Sequence, residues 1–366
     1  MTVEDIALQM THGIGVKGAV HLLEVFGDAR SIFSASEEEL ILDGQLRADL
    51  AKEILAKKAF ADAERELKYC VKNSILPIAS TDVDYPLLLR ETPDYPHVIY
   101  VMGDQKCLSM RCLSLVGTRR ATPYGQVMCD HLIGELAARV PSLSVVSGLA
   151  FGIDAAAHRA ALSHRVPTVA VLANALPQVT PAQHSPLARE ILEQGGALVS
   201  EMHSRTRNFG KGYLARNRII AGLSEACVVV ESPREGGSLY TASLADGYNR
   251  QVMAFPGRAN DASSQGTNYL IKKRMASMIT SGADLIKELA WDLLPDVAAA
   301  MPRVAETRLT EDEERLLALF ETTDPVSTEW LMQRSGYDAG LLATLLVGLE
   351  LAQYVRQLPG NRYMKL

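Results

Sequence analysis

From about Leu76 to Leu289 the chain repeats one unit, a short apolar run followed by a longer stretch with helical spacing. The runs are Cys112–Val116, Ser144–Ser147, Thr168–Leu172, Ala197–Ser200, Ala226–Val230 and Val252–Phe255. Runs this short and this apolar suit strands covered on both faces, and helical connections between them let the strands lie parallel. The first helical stretch opens with Thr122, a residue type that caps helix N-termini, and with Pro123 at the first helical position. The pattern predicts an α/β fold with a doubly wound, mostly parallel sheet over residues 75–290.

At 366 residues the chain exceeds what one hydrophobic core usually organises. Residues 1–70 have helix-like spacing broken by small turns, notably Gly13-Ile14-Gly15-Val16, and predict a helical domain. A Gly-Ile-Gly turn before a helix suits two uses. Its amides can approach a DNA phosphate, as in a helix-hairpin-helix, or it can simply pack two helices together. Residues 291–308 contain Pro295, a run of alanines and Pro302, and read as a linker. Beyond them, residues 309–366 give three helical stretches, Glu314–Phe320, Thr328–Arg334 and Ala339–Leu351. A terminal β-hairpin turning at Pro359-Gly360-Asn361 completes a winged helix. Its third helix has no Lys or Arg, so protein interaction or dimerisation suits this domain better than phosphate contact.

Composition narrows the function. No stretch is long and apolar enough to cross a bilayer, and Glu4 and Asp5 stand where a secretory signal would be basic, so a cytoplasmic location without membrane association is expected. Five cysteines, an odd number without a Cys-x-x-Cys pair, suit reduced structural thiols rather than disulfides or zinc. No metal-ligand spacing and no cofactor fingerprint is present. The net charge of −6 argues against nucleic acid only if the charge is evenly spread. It is not. Between His203 and Arg218 lie Arg205, Arg207, Lys211, Arg216 and Arg218 with no Asp or Glu, interleaved with Phe209 and Tyr213. Cations that follow a phosphate backbone, with rings that stack on unpaired bases, are the parts of a single-strand binding surface. The alternative is a solvated loop whose arginines pair with carboxylates elsewhere.

Ligands of open α/β sheets bind beyond the carboxyl ends of the strands. Three segments fall there. Gly117-Thr118-Arg119-Arg120 follows the first strong strand and offers a close backbone approach, a hydroxyl and two guanidinium groups. Ser147-Gly148-Leu149-Ala150-Phe151-Gly152-Ile153-Asp154 runs from the next strand into a helix with phosphate-cradle spacing, yet it is neither a Walker A loop nor a dinucleotide fingerprint. Gly236-Gly237-Ser238 to Thr241 opens another helix with free amides and hydroxyls.

Taken together, Gly117-Thr118-Arg119, Ser-Gly-Leu-Ala-Phe-Gly-Ile-Asp at 147–154, Ala157-His158, Arg-Asn-Arg-Ile-Ile-Ala-Gly-Leu-Ser at 216–224, Gly237-Ser238 and Pro256-Gly257 resemble the DNA-processing protein A (DprA/Smf) family in order and spacing. The resemblance implies an extended Rossmann-like core that binds single-stranded DNA in a basic pocket, forms a homodimer and helps load RecA during natural transformation, without catalysis. It implies DNA contacts at Gly117, Thr118, Arg119, Arg120, Ser147, Gly148, Phe209, Lys211, Arg216, Asn217, Arg218, Gly237, Ser238 and Thr241, with Arg119 and Arg218 foremost. The chain departs from the family pattern at His164-Arg165, at Ala173-Asn174-Ala175 where a glycine-rich turn is usual, at Thr180-Pro181 and at Tyr213-Leu214.

Two other functions compete. Similar folds cleave nucleoside monophosphates, but their signature glutamate would fall at Leu244, three residues after Thr241. The acids near the strand ends, Asp154, Glu201, Glu231 and Glu235, read as caps or ion-pair partners, and His158, set among alanines, as a structural histidine. The third possibility is a nucleotide-sensing module whose winged helix relays the signal.

Overall fold

A computed structural model of the protein describes residues 1–206, 212–291, 310–320, 326–351, 354–358 and 362–365. The chain begins with six helices: α1 (Val3–Met10), α2 (Val16–Phe26), α3 (Ala29–Ser34), α4 (Glu37–Leu42), α5 (Ala48–Leu55) and α6 (Phe60–Lys72). The sheet region follows as β1 (Leu76–Ala79), α7 (Leu87–Arg90), β2 (Val98–Gly103), β3 (Arg111–Val116), α8 (Pro123–Ala137), β4 (Leu143–Ser147), α9 (Ile153–Ser163) and β5 (Thr168–Val171). It continues with α10 (Ser185–Glu193), β6 (Ala197–Ser200), α11 (Gly212–Leu223), β7 (Ala226–Val229), α12 (Gly237–Gly247), β8 (Gln251–Ala254), α13 (Gln265–Lys272), β9 (Ser277–Met278) and α14 (Gly282–Glu288). All six apolar runs named from sequence form strands.

The nine strands make one sheet in the order β1-β2-β6-β5-β4-β3-β7-β8-β9. Strands β3 to β9 pair in parallel, whereas β2 runs antiparallel to β6 and β1 antiparallel to β2. Alternation along β3 shows how both faces are used. Cys112 and Val116 join the apolar layer that includes Ile219 and Leu223 of α11, while Leu113 and Leu115 join the layer that includes Leu132 of α8 and Ala157 of α9. All five cysteines are buried without a disulfide, and burial pushes the Cys70, Cys112 and Cys227 thiols up to about 12.

From β3 the chain builds outward through β4, β5 and β6, then returns to the other side of β3 for β7, β8 and β9. The order therefore reverses between β3 and β7. A crevice opens at the carboxyl ends of the two strands where such a reversal occurs, because their loops depart to opposite faces.

Residues 1–70, expected as a separate helical domain, have their own apolar core around Ile6, Leu22, Ile32, Leu40 and Ile54. They nevertheless form one compact unit with the sheet. Asp5 meets His97 at 3.0 Å, the Gln9 amide donates to the Glu201 carbonyl at 2.8 Å, and Glu66 accepts from the backbone N–H of Ser204 at 2.8 Å. At the Gly13 turn the backbone has φ of +82°, and a Cβ there would meet the Leu50 side chain.

The C-terminal residues form a second compact unit. Helices Glu311–Ala318, Thr328–Ser335 and Ala339–Leu351 and a three-stranded sheet enclose Leu316, Leu331, Leu342, Leu346 and Tyr363. Leu341 and Val347 of its third helix are exposed. The linker expected at 291–308 lies, after Trp291, outside the described residues. Among the described residues no helix is long and apolar enough to cross a membrane.

Candidate nucleic-acid interface

A cleft of about 240 Å³ lies at the reversal point. Four stretches contribute to its lining: Val116 to Arg119 at the end of β3, Ala150 and Asp154 after β4, Tyr213, Leu214, Arg216, Asn217 and Ile220 of α11, and Pro233, Gly236 to Ser238 and Thr241 after β7 and into α12. Of the residues expected to contact DNA, Gly117, Thr118, Arg119, Arg216, Asn217, Gly237, Ser238 and Thr241 are brought together here. Phe209 and Lys211, like Arg207, lie outside the described residues.

The β3–α8 loop owes its place to tight backbone contacts. The Thr118 N–H donates to the Glu231 carbonyl at 2.7 Å, and the Ile153 N–H donates to the Thr118 carbonyl at 3.1 Å. Glu231 itself is spent on the helix start, accepting from the Thr122 backbone at 2.9 Å and from its hydroxyl at 2.5 Å. Gly152, with φ of +81°, lets α9 begin directly beneath the loop; a Cβ there would fall on the Thr118 carbonyl and on the Arg119 backbone. Gly152→Ala is therefore expected to cost about 1–3 kcal/mol from backbone conformation alone and to shift Arg119. Thermal melting and oligonucleotide affinity should both fall, and a variant normal in both would show that the loop does not depend on this glycine.

Arg119 is exposed, and its guanidinium lies 5.5 Å from the centre of the Tyr213 ring. Among the described residues it has no carboxylate partner. Also in the lining, α12 starts at Gly237 after the N-cap Gly236, and no side chain caps its first amides. Ser238 is turned to Ser232, its hydroxyl donating at 2.9 Å.

Three other arginines, Arg205, Arg216 and Arg218, are engaged within the protein, and the structure places several expected contact residues away from the cleft. The Arg216 guanidinium is buried and donates to the carbonyls of Gly148, at 2.6 Å, and Val171, which ties the ends of β4 and β5 together. Any Cβ at Gly148 would meet that guanidinium, so this glycine makes room for an arginine, and it is not among the residues lining the cleft. Ser147 is also removed from the cleft: it is fully buried and its hydroxyl donates to the Leu115 carbonyl at 2.7 Å. Arg218, favoured from sequence as a phosphate ligand, is buried in an ion pair with Glu201 and does not line the cleft. Arg205 pairs with Asp62 of α6 at 2.8 Å. Two arginines of the basic stretch are thus claimed by acids outside it, Asp62 and Glu201.

Asp154 lies in the cleft wall beside Arg216. Burial pushes its carboxyl above the usual carboxylate range, against the pull of Arg216. It accepts from the Ala150 N–H at 3.4 Å, the cap-like role expected of it. His158 is fully buried and its Nδ1 lies 2.7 Å from the Thr168 hydroxyl, which itself donates to the Val145 carbonyl. Nδ1 is therefore the donor, and burial with the nearby Arg216 and His184 pushes the imidazole down to about 3, so it stays neutral. Two features were not legible in the sequence: the contact of Arg119 with Tyr213, and the apolar part of the lining supplied by Leu214, Ile220 and Pro233.

Comparison with known proteins fits this geometry. Residues 77–290 match the sequence profile of DNA recombination-mediator protein A, and residues 299–361 that of the DprA winged helix domain. Protein Smf of Escherichia coli K12 is 36% identical over 288 residues, covering 77% of this chain and 75% of that one. The DNA processing protein DprA of Bacillus subtilis is 35% identical over 215 residues, covering 58% and 70%. Among solved structures, DNA processing protein A of Streptococcus pneumoniae superposes with a TM-score of 0.69 at 27% identity, over 79% of this chain and 98% of that one. The Helicobacter pylori protein, studied for its single-stranded DNA binding mode, gives a TM-score of 0.53 at 29% identity, over 60% and 96%.

Proposed function

Because the chain belongs to the DNA recombination-mediator protein A (DprA/Smf) family, we propose that its reversal-point cleft binds single-stranded DNA, with Arg119 as the principal phosphate ligand. The observation that carries this reading is what one cleft brings together: an exposed guanidinium without a carboxylate partner among the described residues, and a helix start whose amides no side chain caps. Both favour an anion, and the Tyr213 ring beside Arg119 adds a surface on which a base can stack. Thr118, Asn217 and Thr241 supply neutral hydrogen-bonding groups in the same cleft. On the same reading the protein protects incoming strands and helps load RecA during natural transformation, acting as a homodimer. Acid–base catalysis has no support here, since Asp154 is the single carboxylate among the described residues that line the cleft and it sits against Arg216.

The test is fluorescence anisotropy with labelled single-stranded and duplex oligonucleotides across a salt series. Binding is expected to favour single strands, to tighten with length and to fall with salt at a log–log slope of about −0.7 per phosphate contacted. Saturation by a mononucleotide, with no gain from a longer strand, would overturn the reading in favour of a nucleotide sensor. RecA-dependent ATP hydrolysis on strands precoated with single-strand-binding protein tests the loading role separately.

A further inference from the structure

Beyond the first cleft, and sharing Arg119 with it, lies a second and more open depression of about 580 Å³ on the α8–α9 face. Its lining includes Arg119, Arg120, Phe151 and Arg159, together with Asp130 and Ser163. Three features distinguish it from an ordinary solvated face.

The first is charge. Arg120 and Arg159 are exposed and, like Arg119, have no carboxylate partner among the described residues. Asp130, the only acid among the described residues lining the depression, is engaged at its far side, 3.0 Å from the His164 Nε2 and within reach of the Ser163 hydroxyl at 3.4 Å. The second is a fixed aromatic ring. Phe151 is 46% exposed, yet its ring is not loose: it packs edge to face on His184, centroids 4.7 Å apart, and His184 is buried and hydrogen-bonded to the Leu149 carbonyl at 2.7 Å. An apolar ring held in one orientation with a face to solvent is a platform for an unpaired base, because stacking then costs little side-chain freedom. The third is continuity. Arg119 and Arg120 are consecutive, and the Arg120 N–H donates to the Thr118 hydroxyl at 3.2 Å, so one short loop presents a guanidinium to each depression.

We infer that this depression is a second nucleotide subsite, which takes the continuation of a single strand leaving the first cleft past Arg119. Arg120 and Arg159 hold its backbone phosphates, and Phe151 stacks on a base. The inference rests on the single-strand reading of the first cleft and adds to it a path for the strand and a minimum length for full affinity. Arg159 and Phe151 carry the new assignment.

The experiment compares oligothymidylates of about six and about twenty nucleotides against the full chain, the Arg120→Ala/Arg159→Ala double variant and Phe151→Ala. The double variant should keep wild-type affinity for the short strand, lose at least about tenfold for the long one, and have a long-strand salt slope shallower by about 1.4, the value for two phosphates. Phe151→Ala should lose about tenfold on the long strand alone. Phe151→Trp should retain affinity, with its emission quenched by the long strand and unchanged by the short one. If the wild-type protein binds the long strand no more tightly than the short, or the double variant keeps both long-strand affinity and salt slope, the second subsite is overturned while the first cleft stands. Failure of the wild-type protein to bind either strand would remove both.

Discussion

Arg218→Ala is expected to lower stability by about 3–5 kcal/mol while leaving DNA affinity of the folded protein unchanged. Arg218 and Glu201 are both nearly buried, and removing one partner leaves the other charge without compensation. Glu201 shows the strain already: burial pushes its carboxyl above the usual range even with Arg218 beside it. Without the arginine that value rises further, and the sign of the pH dependence follows. A carboxyl whose folded value is raised contributes stability below its unfolded value and loses it as pH rises through the folded one. The deficit of the variant should therefore be small in acid and grow toward neutral pH. Denaturant melts at several pH values measure it. Arg218→Met combined with Glu201→Leu should recover most of the loss, since two apolar side chains leave no charge behind. A stable single variant with weakened DNA binding would instead restore Arg218 to the role its sequence context suggests.

Arg119→Ala is expected to do the reverse. The side chain is exposed and unpaired with any carboxylate among the described residues, so melting should shift by less than about 0.5 kcal/mol. A charge-assisted hydrogen bond to phosphate contributes about 1.5–3 kcal/mol, so affinity should fall by at least about tenfold, with a salt slope shallower by about 0.7. Arg119→Lys should keep the slope and recover only part of the affinity, since an ammonium keeps the charge but not the two-pronged geometry. Wild-type affinity and slope in Arg119→Ala would move the phosphate site elsewhere.

The contrast between these two arginines marks how much was legible in advance. Six of the seven parallel strands were visible as apolar runs, because a strand covered on both faces needs large apolar residues at nearly every position; the two-residue β9 was not. Strand β1 lies at the edge of the sheet, next to β2, and contains Pro77, a residue that an edge position tolerates well. Strand β2 is antiparallel through its pairing with β6, about a hundred residues away in the chain, and β1 through its pairing with β2; no local signal records the first of these. The Gly117–Arg120 loop was legible because its place follows from the strand before it. Arg216 and Arg218 were not, because α11 is buried around most of its circumference: Arg216 and every residue from Arg218 to Leu223 are buried, so no apolar stripe separates an inner from an outer face. Which arginine meets a carbonyl, which meets Glu201 and which is left for a ligand depends on residues distant in sequence.

The tie that Arg216 makes between the ends of β4 and β5 also determines when order is imposed on the cleft. An arginine free in solvent loses rotamer freedom when a ligand arrives, about 0.5–1.5 kcal/mol for a long side chain. Arg216 lost that freedom when the chain folded, so its positive charge waits in the cleft wall already fixed, while Arg119 must still be immobilised by whatever strand it grips. The entropic cost of capture therefore falls mainly on the exposed loop, and a substitution that stiffens that loop without moving it should speed neither folding nor encounter but should lengthen the residence time of a bound strand.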